Sequence, residues 1–211
     1  MKASDDIFSS AHSSPSILDR AIIFATEAHR GAFRKGTRIP YILHPLEAAA
    51  IAVTITGDYE VLAAAVLHDV IEDTAVTEAE LREVFGSRVA ELVCAESENK
   101  RADLPAGDTW RIRKQETLDA LRVEDRREVK ILVLADKLSN IRSIHRDFRA
   151  LGAALWERFN MKDPDQIGWY YRSIGEALES ELGETLAMKE YRRLVEETFA
   201  GGVSWIGGVY E

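Results

Sequence analysis

The sequence predicts an all-helical bundle of about eight to ten helices in a single domain. Three observations carry that expectation. Apolar residues recur at helical spacing through most of the chain, capping residues stand just ahead of those runs, and 211 residues suit one substantial core.

Residues 1–16, MKASDDIFSSAHSSPS, lack the apolar centre of a signal peptide and are expected to be a disordered lead-in. Ser16 is placed to cap a first helix over about 17–30, with Ile17, Ala21, Phe24, Ala25 and Ala28 on one face. The basic stretch GAFRKGTRIP follows as a loop, punctuated by two glycines and Pro40. Tyr41 to His44 leads into a second helix whose first turn suits Pro45. Asp58 caps a third helix, VLAAAVLHDVIED, apolar nearly all round until its acidic end and so expected to be buried on most sides. Thr77 and Glu80 form a capping-box pattern for a short helix closing at Phe85-Gly86. A helix over 87–97 and a polar stretch, ESENKRADLPAGD, come next. Asp108 or Thr109 then opens a charged helix through about Leu121. The run VKILVLADKLSNI lies in a helix over about 125–146; it is too long, and too free of turn signals, for a strand. Two more helices are expected at 163–181 and 185–199, so the domain spans 17–199. The tail from 200 to 211, GGVSWIGGVYE, either hangs loose or pins Trp205 and Tyr210 on the body or on a second subunit of a homo-oligomer.

The formal net charge of −9 argues against nucleic-acid polymers and anionic membranes as partners, but not against a small anionic ligand. No apolar run approaches the roughly 18 residues of a membrane span. Cys94 is the only cysteine, so no intramolecular disulfide forms, and a reducing cytoplasm is the expected compartment. Its apolar setting, VAELVCAE, reads as core filler.

The chemistry concentrates at the end of the third helix, His68-Asp69-Val70-Ile71-Glu72-Asp73. Taken alone, HDVIED reads equally well as a solvated helix end. Two other positions favour a cation. His44 stands at a helix start beside Pro45, and Asp136 interrupts the apolar run ILVLADKL, where an unpaired carboxylate is costly. Lys137 follows directly but projects about 100° away round a helix, which makes it a poor expected partner. Two histidines and two aspartates, His44, His68, Asp69 and Asp136, form a mixed nitrogen and oxygen set suited to Mn²⁺, Fe²⁺, Co²⁺ or Zn²⁺, with positions left open for water and substrate. Glu72 and Asp73 are then the candidate catalytic acids, one to take a proton from the attacking water and the other to orient it or protonate the leaving oxygen. Asn140, at i+4 from Asp136, faces the same way and can bond substrate or a ligand carboxylate.

The ordered set HRGAFRKGTRIPYILHP, LHDVIEDT and LADKLSNIR resembles the HD-domain hydrolases of the RelA/SpoT type, and in particular the stand-alone small alarmone hydrolases. The resemblance covers about residues 17–180. HD alone is shared by many phosphohydrolases; the basic loop with HDxxED and LADKxxN is more specific. The resemblance implies an all-helical HD fold with Mn²⁺ on His44, His68, Asp69 and Asp136. It implies removal of the 3′-pyrophosphate of guanosine 3′,5′-bis(diphosphate), (p)ppGpp, leaving GDP or GTP. Glu72 and Asp73 match the catalytic acids, Arg34 and Lys35 the basic pair beside the nucleotide, Asn140 and Ser143 the nucleoside contacts, and Tyr170 (with Tyr171 as alternative) a substrate-facing tyrosine.

The loop GTRIPYIL is one residue longer than that of bifunctional relatives, which through Arg38 leaves (p)ppApp or NADPH as alternative substrates. The segment after His145 is longer than in the metazoan member of the small alarmone hydrolases and is expected to reshape a pocket wall or an oligomer contact. A synthetase activity is not expected. A nucleotide sensor without turnover is disfavoured by the presence of every ligand and both acids. Lys100, Arg111 and Lys114 read either as a cationic rim for phosphate or as a solvated face. His29 reads as a structural histidine or one that supports a ligand from behind, His145 as a surface or interhelical packing residue, and Trp156 and Trp169 as aromatic core. No glycine-rich phosphate loop is present, so neither an NTPase nor a dehydrogenase is expected.

Overall fold

The structure is a computed structural model and describes residues 16–97 and 106–200. Among these lie ten α-helices, one 3₁₀ segment and one isolated bridge, with no strand. The lead-in, the tail with Trp205 and Tyr210, His12 and Lys100 lie outside the described residues.

Helix α1 (Ile17–Ala28) starts at Ser16 in a capping box closed by Asp19. The basic loop after it is pinned by an antiparallel bridge between Phe33 and Pro40, with Arg34 N–H on Ile39 C=O and Tyr41 N–H on Ala32 C=O, both at 2.9 Å. Gly36 turns the loop at φ 70°, the left-handed region that a side chain disfavours. This delivers the chain into α2 (Leu43–Ala52), with His44 buried in its first turn.

Helix α3 (Tyr59–Leu67) is capped by Asp58 and buried at every position from Val61 to Leu67, as an all-round apolar sequence requires. It packs against α1 and α2 and, further along, against α6 and α8. The expected continuous helix through Asp73 is interrupted. His68 and Asp69 form a turn, and a single-turn helix α4 (Val70–Asp73) follows. The cause is Asp69, whose φ −93° and ψ −4° tighten the backbone while keeping it right-handed.

Helices α5 (Glu78–Phe85, with its Thr77–Glu80 capping box) and α6 (Ser87–Glu96) form a short hairpin about Gly86. Helix α7 (Ala106–Val123) packs on α9 (Pro164–Leu182). Helix α8 (Arg127–Leu151) is the spine, touching α2, α3, α6 and α9, and α10 (Leu186–Phe199) on a further side. It runs past the expected end near 146 because no breaker occurs before Gly152, at φ 58°. The 3₁₀ segment Gly152–Arg158 then folds back along α8, burying Trp156 against Phe148 and Phe199.

Candidate metal centre and active site

Three pieces of backbone meet at one point: the first turn of α2, the turn between α3 and α4, and the middle of α8. They bring His44, His68, Asp69 and Asp136 together. His44 Nε2 lies 3.0 Å from Asp136 Oδ1 and 3.5 Å from Asp69 Oδ2. His68 Nε2 lies 3.0 Å from Asp69 Oδ2, 3.7 Å from Asp136 Oδ1 and 3.3 Å from His44 Nε2. Donors about 2.1 Å from one ion lie about 3.0 Å apart on an octahedron and about 3.4 Å apart on a tetrahedron. The cluster has that spacing.

Hydrogen bonding behind the rings adds a second fit. His68 Nδ1 faces the Ala65 carbonyl at 2.8 Å, which only a protonated Nδ1 satisfies. Its Nε2 lone pair therefore faces His44. Two such lone pairs at 3.3 Å repel unless a proton or a cation sits between them. Without the cation, the proton is the answer. Burial opposes charging of His68, but Asp69 and Asp136 outweigh it and raise its pKa well above the ordinary value. His44 is pushed down by burial, which outweighs the pull of the Asp136 carboxylate as an acceptor for a protonated ring.

A fifth group, which the sequence reading missed, completes the electrostatics. Glu96, at the end of α6, has a side chain only 6% exposed, and its carboxylate lies with the ligand atoms of His68 and Asp69. Burial and the nearby Asp136 raise its pKa well above the carboxylate range. A signal for it was present. Glu96 stands at i+7, i+4 and i+3 from the buried Val89, Leu92 and Val93, so it extends a buried face.

The expectation that Lys137 is a poor partner for Asp136 is overturned. Its ammonium curls back to pair with Asp136 and lies 3.7 Å from Glu96. Four methylenes provide the reach, and the alternative is a buried ammonium with no counter-charge. Burial alone would lower Lys137, but Asp136 dominates and raises it. Asp69 and Asp136, both held ionised by their neighbours, set two carboxylates against the ammonium of Lys137, an excess of negative charge that a cation balances.

The candidate catalytic acids flank this cluster. Glu72 is half-buried and Asp73 exposed, and both line a cleft of about 390 Å³ together with Arg34, Tyr41, Lys114 and Tyr170. The Tyr41 hydroxyl donates to Asp69 Oδ2 at 2.7 Å, and His29 is buried against the Tyr41 ring, 4.9 Å between centroids. His29 thus takes the supporting place expected of it, set behind a hydroxyl that bonds one of the candidate ligand carboxylates.

Asn140 joins the cluster to the basic loop. Its amide donates to Asp136 Oδ1 at 2.6 Å, and its carbonyl accepts from Arg34. The Arg34 guanidinium also lies 5.5 Å from the Tyr41 ring centroid. Beyond Asn140 a second cavity of about 310 Å³ is lined by Arg34, Lys35, Ser143, Asp147, Arg158 and Phe159. Lys35 donates to Asn160 at 2.7 Å and Ser143 accepts from Arg146 at 3.0 Å. Arg158 packs over Gly36 and pairs with Asp147 at 2.9 Å, so the longer segment after His145 does shape a pocket wall. Arg38 is exposed and lines neither cavity.

Tyr170 is buried under the Lys114 ammonium, 4.9 Å from its ring centroid, and its hydroxyl has no hydrogen-bond partner among the described residues. Its neighbour Tyr171 lines the second cavity instead. Arg111 is exposed, stacks 3.2 Å over Trp169, bonds Gln166 and lines neither cavity, so of the two readings it fits the solvated face and not a phosphate rim. Trp169 is accordingly half-buried rather than core. His145 joins α8 to α10 through Thr198 at 3.1 Å. Cys94 is half-buried, its thiol raised by burial and by Glu78.

A helical bundle that gathers two buried histidines, a buried aspartate and a half-buried one at the floor of an acid-rimmed cleft has the donor set of a divalent-metal site. The chain belongs to the HD domain family, whose profile matches residues 21–160.

Among solved structures, lmo0812 from Listeria monocytogenes EGD-e superposes with a TM-score of 0.65 at 34% identity, over 80% of this chain and 99% of that one. A metazoan SpoT orthologue, described as hydrolysing ppGpp and acting in starvation responses, shares the fold with a TM-score of 0.69 at 21% identity, over 88% of this chain and 97% of that one. Curated relatives include a guanosine-3′,5′-bis(diphosphate) 3′-pyrophosphohydrolase of Haemophilus influenzae, 36% identical over 122 residues, which are 58% of this chain and 18% of that protein. A GTP pyrophosphokinase of Myxococcus xanthus is 32% identical over 130 residues, 61% of this chain and 17% of that protein. The chain spans under a fifth of the length of these two relatives. No helix among the described residues is long and apolar enough to cross a membrane.

Proposed function

We propose that this chain is a metal-dependent phosphohydrolase that removes the 3′-pyrophosphate of guanosine 3′,5′-bis(diphosphate) or its pentaphosphate relative, leaving GDP or GTP. The observation that carries the proposal is the joined geometry of the site. A four-ligand cluster sits at the floor of one cavity, and Asn140 links it to the Arg34 and Lys35 end of a second. The naming of the Haemophilus influenzae relative supports the same reaction. The hydrolase domain is assigned to residues 17–199.

His44, His68, Asp69 and Asp136 are the assigned ligands of Mn²⁺, which when bound stabilises charge on phosphate oxygens and activates water. Glu72 and Asp73 handle protons beside that cluster, one taking the proton of the attacking water and the other supplying one to the leaving oxygen. Lys114 meets phosphate charge across the cleft, and the Tyr170 hydroxyl offers a donor beside it. Arg34 presents a planar guanidinium for a purine face, and Lys35 and Ser143 line the nucleoside end. Lys100 is assigned to the phosphate end on sequence grounds alone.

The test is a product-resolved assay of ppGpp, ppApp and NADPH with the Mn²⁺-loaded protein. Pyrophosphate and GDP from ppGpp, at the highest kcat/KM of the three, is the expected result. No pyrophosphate release from ppGpp would sink the proposal; faster turnover of ppApp or NADPH would move the assignment to that nucleotide.

A further inference from the structure

Ser139 and Glu47 stand on the Nδ1 side of His44, and neither belongs to the cluster itself. The buried Ser139 hydroxyl lies 2.8 Å from His44 Nδ1 and 2.8 Å from Glu47 Oε2. A hydroxyl has one proton to donate, and an ionised carboxylate can only accept. Ser139 therefore gives its proton to Glu47 and has only a lone pair to offer the imidazole. His44 must then carry its own proton on Nδ1, which leaves the Nε2 lone pair turned toward Asp136 and His68. Glu47 is steadied in turn by Arg142 at 3.1 Å, whose guanidinium also holds Glu190 of α10 through bonds of 2.8 and 2.7 Å.

We infer that Ser139 and Glu47 are positioning residues that fix the tautomer and the ring orientation of His44 for a divalent cation. The inference rests on the metal-site reading given under Proposed function. The two histidines reach the same state by different means. His68 is set by a backbone carbonyl that no side-chain substitution removes, whereas His44 depends on two replaceable side chains. With Ser139 reduced to a methyl, the Nδ1 proton loses its acceptor, and the ring is free to adopt the other tautomer or to turn.

The experiment measures Mn²⁺ binding by calorimetry without nucleotide, and the visible absorption of the Co²⁺-loaded protein, for wild type, Ser139→Ala, Ser139→Thr and Glu47→Gln. Ser139→Ala and Glu47→Gln are expected to weaken Mn²⁺ binding by about 10- to 100-fold and to shift the Co²⁺ bands. Ser139→Thr, which keeps the hydroxyl, is expected to restore both. Wild-type affinity and spectra in Ser139→Ala and Glu47→Gln would overturn the inference while leaving the metal site standing. A wild-type protein that bound no divalent ion would overturn both. Glu47 is partly exposed, so Glu47→Ala, which removes the acceptor of the Ser139 proton and should weaken Mn²⁺ binding alike, decides the matter should Ser139→Ala not fold.

Discussion

Replacing Lys137 with methionine tests whether the buried charge cluster is balanced as its geometry implies. The Lys137 side chain is 16% exposed, and those of Asp136 and Glu96 are each 6% exposed, so solvent does little to screen them. Removing one partner of a buried ion pair costs about 3–5 kcal/mol, because the partner is left charged and unsolvated. Asp136 keeps the Asn140 amide at 2.6 Å, which places the expected cost at the lower end, about 3 kcal/mol. For a domain of this size that lowers Tm by about 6–12 °C. The assay is thermal and urea denaturation in the presence of chelator, with the Lys137→Met/Asp136→Asn double variant alongside. The double variant should recover more than about 1 kcal/mol, since the amide removes the carboxylate that lost its counter-ion. A Lys137→Met protein within about 1 kcal/mol of wild type, or a double variant no better than the single one, would refute this account of the cluster.

Glu72→Ala should lower kcat by about 100- to 10,000-fold with Mn²⁺ affinity nearly intact, whereas Asp69→Ala should lose the metal; a near-normal kcat in Glu72→Ala would remove it from proton transfer. Gly168→Ala sets a methyl 3.0 Å from Phe199 Cβ and Cγ, an overpacking worth about 1–3 kcal/mol. Gly175→Ala meets nothing nearer than 3.5 Å and should instead stabilise α9 by about 0.5–1 kcal/mol, so opposite shifts in Tm are the expected pair. Hydrogen bonds from Arg88 hold Asp58 below its ordinary 3.8. That stabilisation is present above the ordinary value and is lost as pH falls through the depressed one, so Arg88→Ala should flatten the acid limb of a Tm-against-pH curve.

The residues of the candidate cluster were legible because each member breaks a pattern. His68 and Asp69 end an apolar helix, Asp136 interrupts another, and His44 occupies a helix start next to proline. The caps at Ser16, Asp58 and Thr77 were legible for the same local reason: one side chain bonds the backbone two or three residues on. The break at His68-Asp69 was not, since both residues keep right-handed dihedrals and only a shift of ψ to −4° at Asp69 parts the two helices. Lys137 was misjudged because helical wheel angles place Cβ atoms, not the end of a flexible chain. Glu47 and Ser139 were invisible for another reason. Their importance depends on the crossing of α2 and α8, and no spacing within either helix encodes it.

The thread from Arg34 through Asn140 to Asp136 also has a thermodynamic consequence. Under the proposed function, a purine that drew Arg34 onto its face would take that guanidinium from the Asn140 carbonyl, while the same amide bonds the Asp136 carboxylate assigned to the ion. Occupancy at one end thus changes the energy of occupancy at the other. Linkage then fixes the bargain in both directions: whatever factor the ion contributes to nucleotide affinity, the nucleotide must return to the ion.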